Sequence, residues 1–255
     1  MATISVVIPV RNDAEMLGNC LRALGRQTRP ADEVIVVDNA STDDSSAVAL
    51  AAGARLISEP LGGILQATVA GFDAATGDII ARLDADSVPP VDWLERIEET
   101  LAAAPPPAAV TGPGDFYDAG RVTVRVGRLL YIGGFFWSMT AWLGHPPFFG
   151  SNMAIQAAIW ERMRPRIDNT LSAVHDDLYL SFRVEPDTTV IYDPTLRVGI
   201  SARPFSSWQG LGRRLGWAWR TLWLNSKDPS PRQRRAIRRE WLSRQSSRTG
   251  SAGHG

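Results

Sequence analysis

The sequence predicts an α/β fold: a doubly wound, mostly parallel sheet flanked by helices, followed by a C-terminal helical extension. Three observations carry this expectation: β-branched runs too apolar for half-exposed strands, helical periodicity between them, and short connections throughout. Ile4 to Val10 is the first such run and contains Pro9; Asn12 and Asp13 then supply an N-cap for a helix bearing Met16, Leu17, Cys20, Leu21 and Leu24. Val34 to Asp38 repeats the pattern, and the polar loop from Asn39 to Ser46 follows, with Ser41 and Asp44 spaced as a capping box for a helix over Thr42 to Ala52. Arg55 to Ser58 reads as a third strand and Gly63 to Ala75 as a third helix, which Gly77 ends before a strand over Asp78 to Leu83. Ligands of such sheets collect beyond the carboxyl ends of the strands. Asn12, Asp38, Asp84 and Asp86 all stand at such ends, so residues distant in sequence are expected to line one crevice.

Pro89 and Pro90 open a helix running through Trp93, Leu94 and Ile97 to Ala103, and the prolines at 105–107 stop it. Beyond about residue 115 the pattern is irregular, with short strands expected over Thr188 to Tyr192 and Leu196 to Ser201. Amphipathic helices are expected over Trp208 to Leu224 and Arg232 to Ser243, and a frayed tail from Ser246 to Gly255.

With 44% hydrophobic and 21% charged residues among 255, the chain can bury a full core as one domain or as a domain with an appendage. Lys plus Arg and Asp plus Glu number 27 each, which leaves no global field to hold a polyanion, so nucleic acid is not an expected partner. The balance fails only locally: Arg232, Arg234, Arg235, Arg238, Arg239, Arg244 and Arg248 face Glu240 alone, a composition suited to an anionic surface. Cys20 is the sole cysteine, so no intrachain disulfide or thiolate-rich metal site can form, which fits a cytoplasmic protein. The N-terminus shows no basic segment or cleavage site of a signal peptide. Leu129 to Trp160 is uncharged and crowded with Phe135, Phe136, Trp137, Trp142, Phe148 and Phe149, but glycines and prolines interrupt it. It is read as a buried segment in preference to an interfacial patch, and not as a membrane span.

Asp84-Ala85-Asp86 ends an apolar strand and presents two carboxylates, the ligand type that a hard divalent cation such as Mn or Mg combines with phosphate oxygens. Taken alone, Asp-x-Asp also occurs in surface turns. Three segments in order, Ser5-Val-Val-Ile-Pro-Val-Arg-Asn12, Val36-Val-Asp-Asn-Ala-Ser-Thr-Asp43 and Leu83-Asp-Ala-Asp86, resemble the signatures of the family-2 glycosyltransferases of GT-A fold. Gly150-Ser-Asn-Met-Ala154 and His175-Asp-Asp-Leu-Tyr-Leu-Ser-Phe-Arg183 extend the resemblance to roughly residues 3–200.

The resemblance implies an inverting, metal-dependent enzyme that moves a sugar from a nucleotide-diphosphate sugar to an acceptor hydroxyl. It implies that Pro9 and Asn12 shape the nucleotide pocket, that Asp38 accepts hydrogen bonds from the base, and that Asp86 is the main metal ligand. Asp84 then contacts the ribose or lies close to the metal, and Asp177, second of the acidic pair with Asp176, is the general base. Asp176 and Asn152 complete the expected substrate contacts. Each has a plain reading beside this one: Asp176 and Asp177 as first-turn acids that stabilise a helix, Asn152 as an amide satisfying local backbone groups. Direct displacement itself needs a base on one side of the sugar carbon and a stabilised leaving diphosphate on the other, and Asp177 and Asp86 suit those two roles.

On this reading residues 1–204 form the transferase domain, with a nucleotide-binding half over about 1–112 and an acceptor half over about 113–204. Residues 205–245 form the helical extension and 246–255 a flexible tail. One departure stands out: where many relatives carry Arg-Asn on the third helix, this chain has Thr68 and Val69, and Arg82 either compensates or points to solvent or to a helix.

The acceptor expected is a saccharide or a lipid-linked saccharide, in cell-envelope glycolipid or polysaccharide synthesis. The aromatic stretch and arginine-rich tail suggest contact with the inner face of a membrane. The cluster of Trp208, Trp217, Trp219 and Trp223 with Arg213, Arg214 and Arg220 reads either as a helix packed on the core or as an interfacial helix. The alternative function is a degenerate sugar-nucleotide-binding protein without turnover. A dinucleotide oxidoreductase lacks its Gly-x-Gly-x-x-Gly after the first strand, and a zinc hydrolase lacks ligands beyond His145, His175, His254 and Cys20.

Overall fold

The computed structural model describes residues 1–118, 133–203, 208–226 and 229–251. Four strands, β1 (Ile4–Val10), β2 (Glu33–Asp38), β3 (Arg55–Ser58) and β4 (Ile79–Arg82), alternate with α1 (Ala14–Leu24), α2 (Ser45–Ala51) and α3 (Ile64–Ala74). Helix α4 (Trp93–Ala103) leads to β5 (Ala108–Thr111) and β6 (Gly114–Phe116); α5 (Gly134–Leu143), β7 (Met153–Gln156), α6 (Ala157–Met163) and α7 (Asp176–Ser181) follow. After β8 (Thr189–Tyr192) and β9 (Val198–Ile200) come α8 (Trp208–Asn225) and α9 (Pro231–Ser251).

The main sheet runs β3-β2-β1-β4-β7-β5-β8, and β6 pairs with β9 in a two-stranded sheet. Pairing is parallel except along β7, which is antiparallel to both β4 and β5. The mostly parallel sheet is as expected. The antiparallel insertion is the new feature, and it comes from the uncharged stretch.

Alternation along β1 divides the core. Ile4, Val6, Ile8 and Val10 pack with α1 and α4, whereas Val7 joins Val37 beneath α3, α6 and α7. Helix α3 lies so close to the sheet that a Cβ on Gly71 would stand 2.3 Å from Cγ1 of Val7. Pro9 is tolerated because β4 pairs only with Ile4 to Val7, so no ladder partner asks for its missing N–H.

Helix starts differ from the expected capping. Asp43 Oδ2, not Asp13, accepts from the backbone N–H of Ala14, while Asp43 Oδ1 takes both the N–H and the hydroxyl of Ser45. The capping box read at Ser41 and Asp44 does not form, and α2 begins at Ser45 because the preceding loop is committed to Asn12 and Asp38. Helix α9 has a box that the sequence reading missed: Ser230 N–H donates to Gln233 Oε1, the Gln233 N–H donates to Ser230 Oγ, and Pro231 occupies the first helical position. It continues to Ser251, so the frayed tail expected from Ser246 is helical that far.

Within the uncharged stretch, Phe136, Met139, Leu143 and Phe148 are buried, whereas Trp137 is 78% exposed; residues 129–132 lie outside the described residues. Helix α8 packs one face on the core and leaves aromatics exposed on another. Leu222 joins the cluster of Met139, Leu143, Leu178 and Phe182, and Thr221 is fully buried, while Trp219 and Trp223 are 72% and 57% exposed. Among the described residues, no helix is long and apolar enough to cross a membrane.

Candidate active site

The strand order reverses between β1 and β4, and the carboxyl ends of these strands and β2 open one crevice. Asn12 adopts φ 52°, a left-handed conformation that a short polar side chain tolerates. Its Oδ1 accepts from the N–H (2.7 Å) and hydroxyl (3.2 Å) of Thr42, and its own N–H donates to Ser41 Oγ at 3.1 Å. Asp38, at the end of β2, accepts from the Ser41 N–H (2.9 Å) and the Ser46 hydroxyl (2.6 Å). Burial raises the Asp38 pKa, but the bonds from Ser41 and Ser46 outweigh it and hold the carboxyl below its ordinary value. The β1 and β2 loops are thereby locked to each other by short neutral donors.

The loop after β4 is held by charge. Arg82 lies on the face of β4 that looks toward α3 and α7, 1% exposed. Its Nη2 makes two contacts, with Asp84 Oδ1 at 3.1 Å and Asp176 Oδ2 at 2.8 Å. That same Asp176 oxygen accepts from the Thr68 hydroxyl at 2.6 Å. Of the alternatives left open for Arg82, the buried one between helices is observed. Its Nε and Nη1 have no protein hydrogen-bond partner, and Nη1 fills the space where a Cβ on Gly150 would stand, 1.9 Å away.

The segment 150–152 stitches the crevice together. Gly150 N–H donates to Asp177 Oδ2 at 3.0 Å and the Ser151 hydroxyl donates to Asp84 Oδ2. Asn152, expected to contact substrate, is instead part of the scaffold. It is 0% exposed; its Oδ1 accepts from Trp93 Nε1 at 2.8 Å and its Nδ2 donates to the carbonyls of Leu196 (2.6 Å) and Pro113 (3.2 Å). Its amide serves β6, β9 and α4, which replaces the substrate contact with the plain reading. Pro9 is likewise buried in the strand, beneath the crevice.

Asp177 stands at the first turn of α7 and is partly exposed, with Oδ1 accepting from the Leu178 N–H at 2.7 Å. Burial pushes its pKa up, the neighbouring Asp176 adds to this, and His175, Arg82 and the Gly150 N–H oppose it. Asp177 is therefore a more basic carboxylate than an ordinary one, as a proton acceptor needs to be. Asp176, paired with it in the sequence reading, is buried and faces Arg82 rather than the crevice.

Asp86 lies 3.7 Å from Arg203 Nη2, and its carbonyl accepts from the Tyr117 hydroxyl at 3.1 Å. Arg203 also grips Asp13 with both terminal nitrogens, at 2.9 and 2.6 Å. Asp84 and Asp86 both raise the pKa of the buried Cys20 thiol, although burial itself is the larger cause, so the crevice floor senses two negative charges. Among the described residues no three His, Cys, Asp or Glu side chains converge. Two carboxylates with the remaining ligands left to phosphate and water is the donor set a Mg- or Mn-type cation accepts. Arg82, Thr68, Ser151 and Arg203 each make a long-range contact in the site that motif spacing does not reveal: Arg82–Asp176, Thr68–Asp176, Ser151–Asp84 and Arg203–Asp86 all join residues 67 or more apart.

The profile of glycosyl transferase family 2 matches residues 5–161. This chain belongs to that family. Glycosyltransferase AglE of Haloferax volcanii is 37% identical over 107 residues, which cover 39% of this chain and 35% of that protein. The undecaprenyl-phosphate 4-deoxy-4-formamido-L-arabinose transferase of Sodalis glossinidius is 38% identical over 109 residues, covering 39% and 33%. The match thus spans about a third of the length of these curated relatives. The mannosyltransferase PcManGT of Pyrobaculum calidifontis, solved with GDP-Man and Mn2+, superposes with a TM-score of 0.64 at 20% identity, covering 100% of this chain and 76% of that one. The fold of this family-2 member is GT-A, with β7 as the antiparallel strand beside β4.

Proposed function

We propose that the protein transfers a sugar from a nucleotide-diphosphate sugar to an acceptor hydroxyl with inversion at the anomeric carbon. The observation that carries the reading is a carboxylate of raised pKa, Asp177, tied through Gly150 and the Arg82–Asp176 pair to the same crevice as Asp84 and Asp86. Asp38 receives the nucleoside, and the Asn12 loop forms the wall beside it, shaped from below by Pro9. Asp86, with Asp84 beside it, holds a divalent cation, Mn2+ or Mg2+. When bound, that cation supplies positive charge to the leaving diphosphate. Asp177 takes the proton of the acceptor hydroxyl, whose oxygen forms the new bond to the anomeric carbon. The bond to the diphosphate breaks as this one forms, and the nucleoside diphosphate departs. Residues 1–204 make up the transferase domain and 205–245 the extension.

A lipid-linked saccharide is the acceptor proposed, met at the inner face of a membrane. Exposed Trp137, Trp219 and Trp223, with exposed Arg220 on the same helix as the last two, support it, and a relative named for undecaprenyl phosphate is consistent with it. The central test is a thermal-shift screen of UDP and GDP sugars with and without Mn2+, on wild type and Asp86→Ala. A donor at about 100 times its Kd stabilises by about 2.7 kcal/mol. A manganese-dependent shift lost in Asp86→Ala is the expected result. Binding without transfer or hydrolysis by the wild type would establish the alternative, a sugar-nucleotide-binding protein without turnover.

A further inference from the structure

The guanidinium of Arg82 occupies an unusual position. One nitrogen, Nη2, lies within ion-pair distance of carboxylates from two elements, Asp84 after β4 and Asp176 at the start of α7. The residue is almost completely buried, yet two of its three nitrogens lack partners in the protein. Burying a cation so incompletely satisfied is costly, and only apolar residues in place of both Arg82 and its buried partner Asp176 would avoid that cost. What the cation achieves is geometric: it fixes the distance between the loop bearing Asp84 and Asp86 and the helix turn bearing Asp176 and Asp177. Gly150 makes room for it and donates to Asp177 from the same residue.

Resting on the proposed transferase reading, we infer that Arg82 is a positioning residue that couples the donor side of the crevice to the proton acceptor. It touches neither the sugar nor the diphosphate; it acts by holding Asp84 and Asp176 on one nitrogen. The geometry also says where else such a cation can be anchored. Thr68 on α3 reaches the same Asp176 oxygen, at 2.6 Å, so a guanidinium projected from position 68 into the space freed at 82 meets the same carboxylate.

The test compares wild type, Arg82→Leu, Arg82→Leu/Thr68→Arg and Arg82→Lys in melting temperature and in steady-state turnover of UDP and GDP sugars with Mn2+. In Arg82→Leu, kcat is expected to fall by about 100-fold, as for a roughly 1 Å misplacement of a reacting group, with donor KM changed by less than about threefold because the nucleoside side is intact. The double variant is expected to regain both melting temperature and most of kcat, and Arg82→Lys to lie between wild type and Arg82→Leu. Wild-type kcat in a folded Arg82→Leu overturns the inference, as does a double variant no better than Arg82→Leu in both measures. Should Arg82→Leu not fold, recovery of a folded, active double variant is the same rescue, and its failure to fold overturns the inference. If the wild type turns over no sugar nucleotide, the transferase reading falls; the melting temperatures still decide whether position 68 replaces the cation of position 82.

Discussion

The two flanks of the crevice are held by different physics. On the β1–β2 side, Asn12, Asp38, Ser41, Thr42 and Ser46 interlock through short hydrogen bonds from neutral donors at a half-exposed surface. On the β4–α7 side, a buried cation stands among Asp84, Asp176 and Asp177. On the first side hydrogen bonds depress the pKa of Asp38; on the second, burial and Asp176 raise that of Asp177 against the opposing pull of Arg82. On the proposed reading, a loop that only binds is rigid and satisfied, whereas the group that takes a proton is kept where its charge is costly.

Asp177→Asn sharpens this contrast most. Loss of the proposed proton acceptor should lower kcat by about 1,000-fold with donor-induced thermal shift retained. The stability effect runs the other way. Because the Asp177 pKa is raised on folding, its ionisation costs stability; the cost is absent below the ordinary carboxylate value of about 4 and complete once pH exceeds the raised value. The variant should therefore melt above wild type at pH 8 and level with it at pH 3. A lower melting point at pH 8 would break the comparison.

Asn152→Ala should follow in size. It leaves Trp93 Nε1 and the Leu196 carbonyl unpaired in the core and takes from the Pro113 carbonyl one of its two bonds, which is expected to cost about 3 kcal/mol in urea denaturation; a drop in donor affinity with unchanged stability would instead return Asn152 to the crevice. Gly150→Ala should slow turnover by about 100-fold, since its methyl group displaces a guanidinium that two carboxylates pin. Ser46→Ala is the mildest. One of the two hydrogen bonds that hold Asp38 goes, at about 1 kcal/mol, and donor KM should rise a few-fold with kcat unchanged. An effect on kcat as large as that of Gly150→Ala would show that the flanks are not separable.

What the sequence disclosed follows the same divide. Strands β1 to β4 and their helices were legible because each is a local pattern, and Asp38, Asp84 and Asp86 were legible as polar residues ending apolar runs. Strand β7 was not, since four residues inside an uncharged stretch carry no periodicity that separates an antiparallel insertion from a core segment. The network around Arg82 was hidden for a further reason: Asp176 on α7 and Thr68 on α3 join the β4 loop from far along the chain, and Thr68 meets Asp176 across 108 residues. Asn152 was misread because an amide in a small-residue segment looks alike in a crevice and in a scaffold until its neighbours Trp93, Pro113 and Leu196 are placed. The start of α2 was read three residues early, because Asp38 claims the Ser41 N–H that a local capping box would have used and Asn12 holds the Thr42 N–H.

Helix α7 has only six residues, too few to hold its own shape. Its far end is clasped from elsewhere: Arg234 on α9 donates to the Phe182 carbonyl at 3.1 Å and lies 5.0 Å over the Phe182 ring, while the neutral His145, with a pKa lowered to about 4 by burial, adds no opposing charge. A cation at a helix C-terminus complements acids at its N-terminus. The arginine-rich segment is thus a splint for the turn that carries Asp177, and a truncation after Asn225, which the family match over residues 5–161 would make look harmless, would loosen that turn without touching the crevice.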